Sequence, residues 1–435
     1  MNIPVYGTKA CENDPPICEG GFVTFKGVCR GFPSSFGISQ KSLCKNILYV
    51  GGTGTGKTNT INMSVDQIKR SMGADDVMIV FDTKGDFEKT FFQKSRGDLI
   101  IGNSAKYRGR SERWNVYREI QADGSDDENI MQNINEIARA LFINNHSTQN
   151  PFFPNAARNL FSGYLLAILR SARTNRNVRE KLLNNRELSH FFNTARQDSY
   201  DKLANSYRDL RSLKMYLGDY NNNQALGVLS EVLNMVKDTF LGVFNEKGDF
   251  SIREFVRNRG GRTLFLEYDL AIGQTLAPLY SLLLDLAIKE VLSQNEDVRG
   301  HVYIVLDEMR LAPYIRQMEN AVNFGRGRNL SIQAGLQSLN QIYDSYGVHR
   351  GGSMLSGFNT VIAFRLNDTP SRAYIRDYFG TNYLREIGEP AEREFRTGYV
   401  VEDWELNELQ LGDAVISVDG SAPFCFHFEE FKNRR

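Results

Sequence analysis

Eight residues near the start of the chain restrict its fold more than any others: Gly51, Gly52, Thr53, Gly54, Thr55, Gly56, Lys57 and Thr58. They fit the pattern G-x-x-x-x-G-K-[ST] and follow the apolar run Ile47–Val50. Residues without a Cβ let a loop close tightly, so its backbone N–H groups can reach several oxygens of a triphosphate at once. Lys57 is expected to reach the β- and γ-phosphates, and Thr58 to hold Mg²⁺ through its hydroxyl. From Asn59 onward the chain can open a helix whose N-terminus faces the anion. The expectation is a strand, a phosphate loop and a helix.

Several other apolar runs read as buried parallel strands: 46–50, 77–81, 99–101, 263–266, 302–306, 331–336, 361–364 and 414–418. They are rich in β-branched or aromatic residues, and helical patterns lie between several of them. This alternation predicts an α/β fold with a mostly parallel central sheet. Residues 125–246 differ. Helical periodicity dominates over Ile130–Leu141, Ala156–Arg173 and Ala225–Val243, with turns expected at 175–177 and 221–224. They are predicted to form an all-helical inserted domain between two parts of a nucleotide-binding domain, residues 1–124 and 247–435.

The 52 basic and 52 acidic residues cancel, so a polyanionic partner must meet a local basic surface. Two groups of cations are candidates to track phosphates: Lys106, Arg108, Arg110 and Arg113, and Arg170, Arg173, Arg176 and Arg179. Four of the five cysteines, Cys11, Cys18, Cys29 and Cys44, fall early, with Cys425 alone later. Their spacing fits no zinc motif, so they read as reduced structural thiols. No secretory leader is evident. The longest apolar stretch, Leu276–Ile288, is short for a membrane and interrupted by Asp285.

A phosphate loop needs a second acid, at the end of a neighbouring strand, to organise the metal. The run Val302–Leu306 leads into Asp307 and Glu308. Asp307 is expected to hold Mg²⁺, directly or through water, and Glu308 to polarise the attacking water as the base. Asp82, Thr83, Lys84 and Gly85 match the D-x-x-G of GTPases, but the N-K-x-D that would read guanine is missing. They read as a loop beside the nucleotide, with Asp82 counted among its contacts. Arg326 and Arg328 lie in a glycine-flanked turn, and a strand then runs to Gln337. An arginine on such a turn can reach a neighbouring subunit's γ-phosphate, and a glutamine at a strand's carboxyl end can sense it.

These motifs together resemble the type IV secretion coupling proteins, the TraD-like branch of the FtsK/HerA motor ATPases. The resemblance runs from about residue 40 to about 430. It rests on 49–58, 81–87, 305–308, 325–328 with 336–338, and 404–409 with the strands that follow. Residues 150–153 and 157–160 are similar to the opening of the family's helical domain. The resemblance implies a RecA-like P-loop NTPase with ATP and Mg²⁺ as cofactors. It also implies a ring hexamer that moves DNA, in particular single-stranded DNA, or a relaxase-bound strand, toward a secretion channel. By the same resemblance Arg326, rather than Arg328, is the arginine supplied in trans, and Gln337 the nucleotide-sensing glutamine. Typical members begin with transmembrane helices, and none is evident here. The initial Met and the Cys-bearing segment 1–45 favour a soluble start. A cytoplasmic chain, peripheral at the inner face of the cell membrane through a separate anchor, is expected. Relaxase or relaxosome and the channel proteins are the implied partners. Two alternatives stand: a nucleotide-gated adaptor with little turnover, and a HerA-like translocase of duplex DNA or protein.

Overall fold

A computed structural model describes residues 2–17, 21–142, 151–218, 222–295, 298–312, 314–386 and 395–433. Fourteen strands occur among them. They are β1 (Asn2–Tyr6), β2 (Val23–Cys29), β3 (Phe32–Ile38), β4 (Ile47–Val50), β5 (Val77–Asp82), β6 (Leu99–Gly102) and β7 (Arg262–Glu267), then β8 (Val302–Leu306), β9 (Leu330–Leu336), β10 (Thr360–Ala363), β11 (Thr381–Glu386), β12 (Phe395–Tyr399), β13 (Asp413–Ser417) and β14 (Phe424–Phe428). The chain divides into two compact units. The first comprises Met1–Asp98, Arg259–Phe265 and Val291–Arg435, and the second Leu99–Asn258 and Leu266–Glu290.

In the first unit the strand order runs β3-β2-β14-β13-β10-β4-β9-β8-β5-β7. Its centre is parallel: β10 with β4, β4 with β9, β9 with β8, and β8 with β5. Each of these five strands is buried along its whole length. That matches their near-continuous apolar sequences, since a parallel strand is covered on both faces. The registers pair Val50 with Leu336, Leu306 with Ala334, and Phe81 with Leu306. The carboxyl ends of β4, β9, β8 and β5 therefore finish along one edge.

Two expectations need correction. The strand at 414–418 is β13, which pairs antiparallel with both β10 and β14. A short run buried on both faces carries no signal of direction. The strand bearing the acid pair, β8, is also no direct neighbour of the phosphate-loop strand, β4. β9 lies between them. A separate three-stranded antiparallel sheet has the order β1-β11-β12.

The helix Lys57–Ser71 follows the phosphate loop and buries Thr60, Ile61, Ser64, Val65 and Ile68 along one face. In the second unit the predicted helices appear as Asp127–Leu141, Phe152–Thr174 and Asn223–Thr239. The asparagines read as turns serve as helix N-caps. Asn175 accepts N–H bonds from Asn177 and Val178, and Asn222 accepts one from Ala225. Tyr164 stacks on Phe191 at 4.2 Å, and Phe161 on Phe192 at 5.9 Å. No helix among the described residues is long and apolar enough to cross a membrane.

Candidate functional site

The loop after β4 is set by its glycines. Gly54 and Gly56 adopt φ of 73° and 117°, a region where a Cβ is strongly disfavoured. The Lys57 ammonium turns back onto the loop and donates to the carbonyls of Gly51 (2.5 Å) and Gly52 (2.8 Å). The Thr55 hydroxyl donates to the Gly52 carbonyl at 2.9 Å. Burial lowers the Lys57 pKa, while the charges of Glu308 and Asp307 oppose that shift.

Thr58 and Asp307, far apart in sequence, meet where the Thr58 hydroxyl donates to Asp307 Oδ1 at 3.1 Å. Beside them the Gln337 amide donates to Glu308 Oε2 at 2.5 Å, and the Thr53 hydroxyl donates to Gln337 Oε1 at 3.3 Å. The other Glu308 oxygen, Oε1, is buried with no hydrogen-bond partner in the described structure. Burial raises the pKa of both acids. Lys84, Thr58 and Lys57 pull Asp307 back down, and Gln337 and Lys57 do the same for Glu308. Gly335 permits this arrangement, because a Cβ there would fall 2.1 Å from the Asp307 carbonyl oxygen.

Together these groups line a cleft of about 320 Å³, with Thr83, Lys84 and Leu411 along its other walls. Leu411 is 68% exposed, and the N–H of the adjoining Gly412 donates to the Thr55 carbonyl at 3.1 Å. Nothing in the sequence marks that contact, which comes from a turn near the far end of the chain. A larger hollow of about 690 Å³ lies between β2, the helix Lys57–Ser71 and residues 429–432. Its charged lining, including Lys26, Asp66 and Arg70, carries both signs at the surface. The phosphate loop and the buried acids lie in the smaller cleft, so the chemistry is assigned there.

Three sequence-predicted residues take other positions. Asp82 is fully buried, and its carboxylate accepts N–H bonds from Lys84, Gly85, Phe87 and Glu88 at 2.8–3.1 Å. It anchors the loop and is not among the residues lining the cleft. Asn59 lines the cleft, but its side chain donates to the Glu429 carbonyl and accepts from the Phe431 N–H. Arg326 is exposed in a turn before the amino end of β9, whereas Gln337 follows its carboxyl end. Seven extended residues separate those ends by roughly 23 Å.

The second cationic cluster does not present free charge. Arg170 pairs with Asp127 and Asp209, Arg173 with Asp127, and Arg176 with Glu180. Arg179 donates to the carbonyls of Ala172 and Arg173. In the first cluster Arg113 pairs with Glu246, while Lys106, Arg108 and Arg110 are exposed around Tyr107.

A phosphate loop and a buried acid pair, at the carboxyl edge of a mostly parallel sheet, define the class as a P-loop nucleotide-binding fold. Within that class, the family model of the type IV secretion-system coupling protein DNA-binding domain matches residues 34–398, and the chain belongs to this family. It is similar to coupling protein TraD of Escherichia coli (strain K12), 22% identical over 342 residues that cover 75% of this chain and 42% of TraD. The chain thus spans less than half of that relative's length. Its fold is similar to that of bacterial conjugative coupling protein TrwBdeltaN70, with TM-score 0.74 at 20% identity, covering 93% of this chain and 88% of that one. Plasmid coupling protein TrwB in complex with ADP and Mg²⁺ superposes with TM-score 0.71 at 20% identity, covering 92% and 89%.

Proposed function

We propose that this chain is the motor portion of a coupling protein. It hydrolyses ATP and uses the turnover to pass DNA, or a relaxase-bound strand, into a type IV secretion channel. The observation that carries the reading is the meeting of Thr58 with Asp307 and of Gln337 with Glu308 in one cleft beside the phosphate loop. Membership of the coupling-protein family supports the DNA and secretion part. The TrwB structure with ADP and Mg²⁺ supports the choice of nucleotide and metal.

Each residue then has a role. The loop from Gly51 to Gly56 and Lys57 bind the phosphates. Thr58 and Asp307 would hold Mg²⁺, which when bound neutralises charge on the β- and γ-oxygens. The Thr58–Asp307 pair, one hydroxyl and one carboxylate in contact, is a donor set that fits this hard ion. Glu308 orients water through Oε1, its free acceptor, while Gln337 fixes Oε2. Arg326 lies too far from its own chain's cleft to serve it and acts on the cleft of a neighbouring subunit in a ring, which we take to be a hexamer. Residues 1–124 and 247–435 supply the nucleotide-binding domain, and the helices of 125–246 the inserted one. Lys106, Arg108 and Arg110, exposed on one loop, are the cations we assign to contact DNA.

Glu308→Gln keeps the shape of the site and removes the base. ATP affinity should stay within about threefold of wild type while turnover falls at least a hundredfold, as for loss of a general base. Nucleotide binding and steady-state phosphate release check this together. Wild-type turnover in the variant would remove Glu308 as the base.

A further inference from the structure

The loop after β5 is built around one carboxylate. Asp82, fully buried, takes four backbone N–H bonds from residues 84, 85, 87 and 88. Gly85, at φ 73°, completes the turn. A charge sunk in this way costs free energy unless it is well satisfied, and here its bonds fix the path of the loop. Lys84 is the residue displayed by that path. It is exposed, lines the cleft together with Lys57, Thr58, Asp307 and Glu308, and its ammonium donates no hydrogen bond to a described residue.

Sheet order shows which part of a ligand Lys84 would meet. β5 is the parallel neighbour of β8, with Phe81 beside Leu306, so the residues just past each strand end stand side by side. The phosphate loop follows β4, two strands from β8 and three from β5. Phosphates held by that loop and running toward Asp307 and Glu308 would bring their terminal group nearest Lys84, which lines the same cleft. Lys57 is the other cation lining the cleft, and it sits at the phosphate loop itself, beside Gly51 and Gly52.

We propose that Lys84 is a second phosphate-binding cation, presented by the turn that Asp82 anchors, which contacts the terminal phosphate of a nucleoside triphosphate and lets the site tell triphosphate from diphosphate. This rests on the nucleotide-binding reading above and adds to it a residue and a specificity. The contact is a charge-assisted hydrogen bond to an oxygen that a diphosphate lacks.

The test is equilibrium binding of fluorescent Mg²⁺-ADP and of its β,γ-imido triphosphate counterpart to wild type, Lys84→Ala and Lys84→Arg. The alanine variant should lose roughly ten- to a hundredfold in triphosphate affinity, the worth of one charge-assisted bond, with ADP binding unchanged. ADP binding also shows that the variant is folded. Arginine should restore most of the loss. Equal weakening of both nucleotides, or no weakening of the triphosphate, overturns the proposal while leaving the nucleotide site intact. A wild type that binds neither nucleotide overturns the nucleotide reading and this proposal with it.

Discussion

Glu308 is a carboxylate with one oxygen held by Gln337 and the other buried without a partner. Burial raises its pKa, and the hydrogen bond from Gln337 and the charge of Lys57 lower it. A base works only when ionised. Hydrolysis should therefore fall as pH drops through that raised pKa, with a midpoint above the roughly 4.3 of a free glutamate. Gln337→Ala removes a contribution that favours the ionised form, so the acid limb should move to higher pH. A pH–rate profile at saturating ATP checks this, and a limb that stays in place would contradict the coupling. At this scale the sequence was legible in the placement of Lys57, Thr58, Asp307 and Glu308, which residue type and spacing brought to one cleft. It misled at Asp82, because an acid after a strand reads the same whether it faces a ligand or the backbone. At Asn59 the partner is a segment from the end of the chain, which local pattern cannot reveal.

The strands around the cleft were legible because apolar runs covered on both faces differ sharply from their surroundings. The hairpin of β2 and β3 was not. Its strands alternate, with Val23, Phe25 and Cys29 inside and Lys26 and Val28 facing solvent. It turns at Arg30 and Gly31, whose φ values of 52° and 83° form the positive-φ pair of a tight hairpin without the usual Asn-Gly signal. What fastens the elements is also invisible locally. Lys69 on the helix after the phosphate loop forms an ion pair with Asp98, their side chains only 3% and 0% exposed. Lys69 also donates to the Thr263 hydroxyl on β7, and Asp98 accepts from the N–H groups of Gln93 and Thr263. Lys69→Met leaves a buried carboxylate without its cation. It should cost about 3–5 kcal/mol of stability in urea unfolding, and a loss under about 1 kcal/mol would mean that backbone donors alone satisfy Asp98.

For the molecule as a whole, strand order was the least legible property. Placing β9 between β4 and β8 depends on its pairing with β4, where Ile47 meets Gln333 far along the chain. That order puts Gln337 next to Glu308, and the length of β9 carries Arg326 to the opposite end. A charge balance of 52 against 52 hid how the cations are used. Arg170 and Arg173 are neutralised by Asp127 and Asp209, which composition cannot show. If each cleft is completed by a second copy of the chain, activity must depend on assembly. The most direct measurement is ATP hydrolysis against protein concentration, with and without single-stranded DNA, for wild type and Arg326→Ala. A ring motor with a shared site should show a DNA-stimulated rate that rises faster than linearly with concentration and collapses by at least a hundredfold in the variant. A slow rate that is linear, indifferent to DNA and unchanged by the substitution would contradict it.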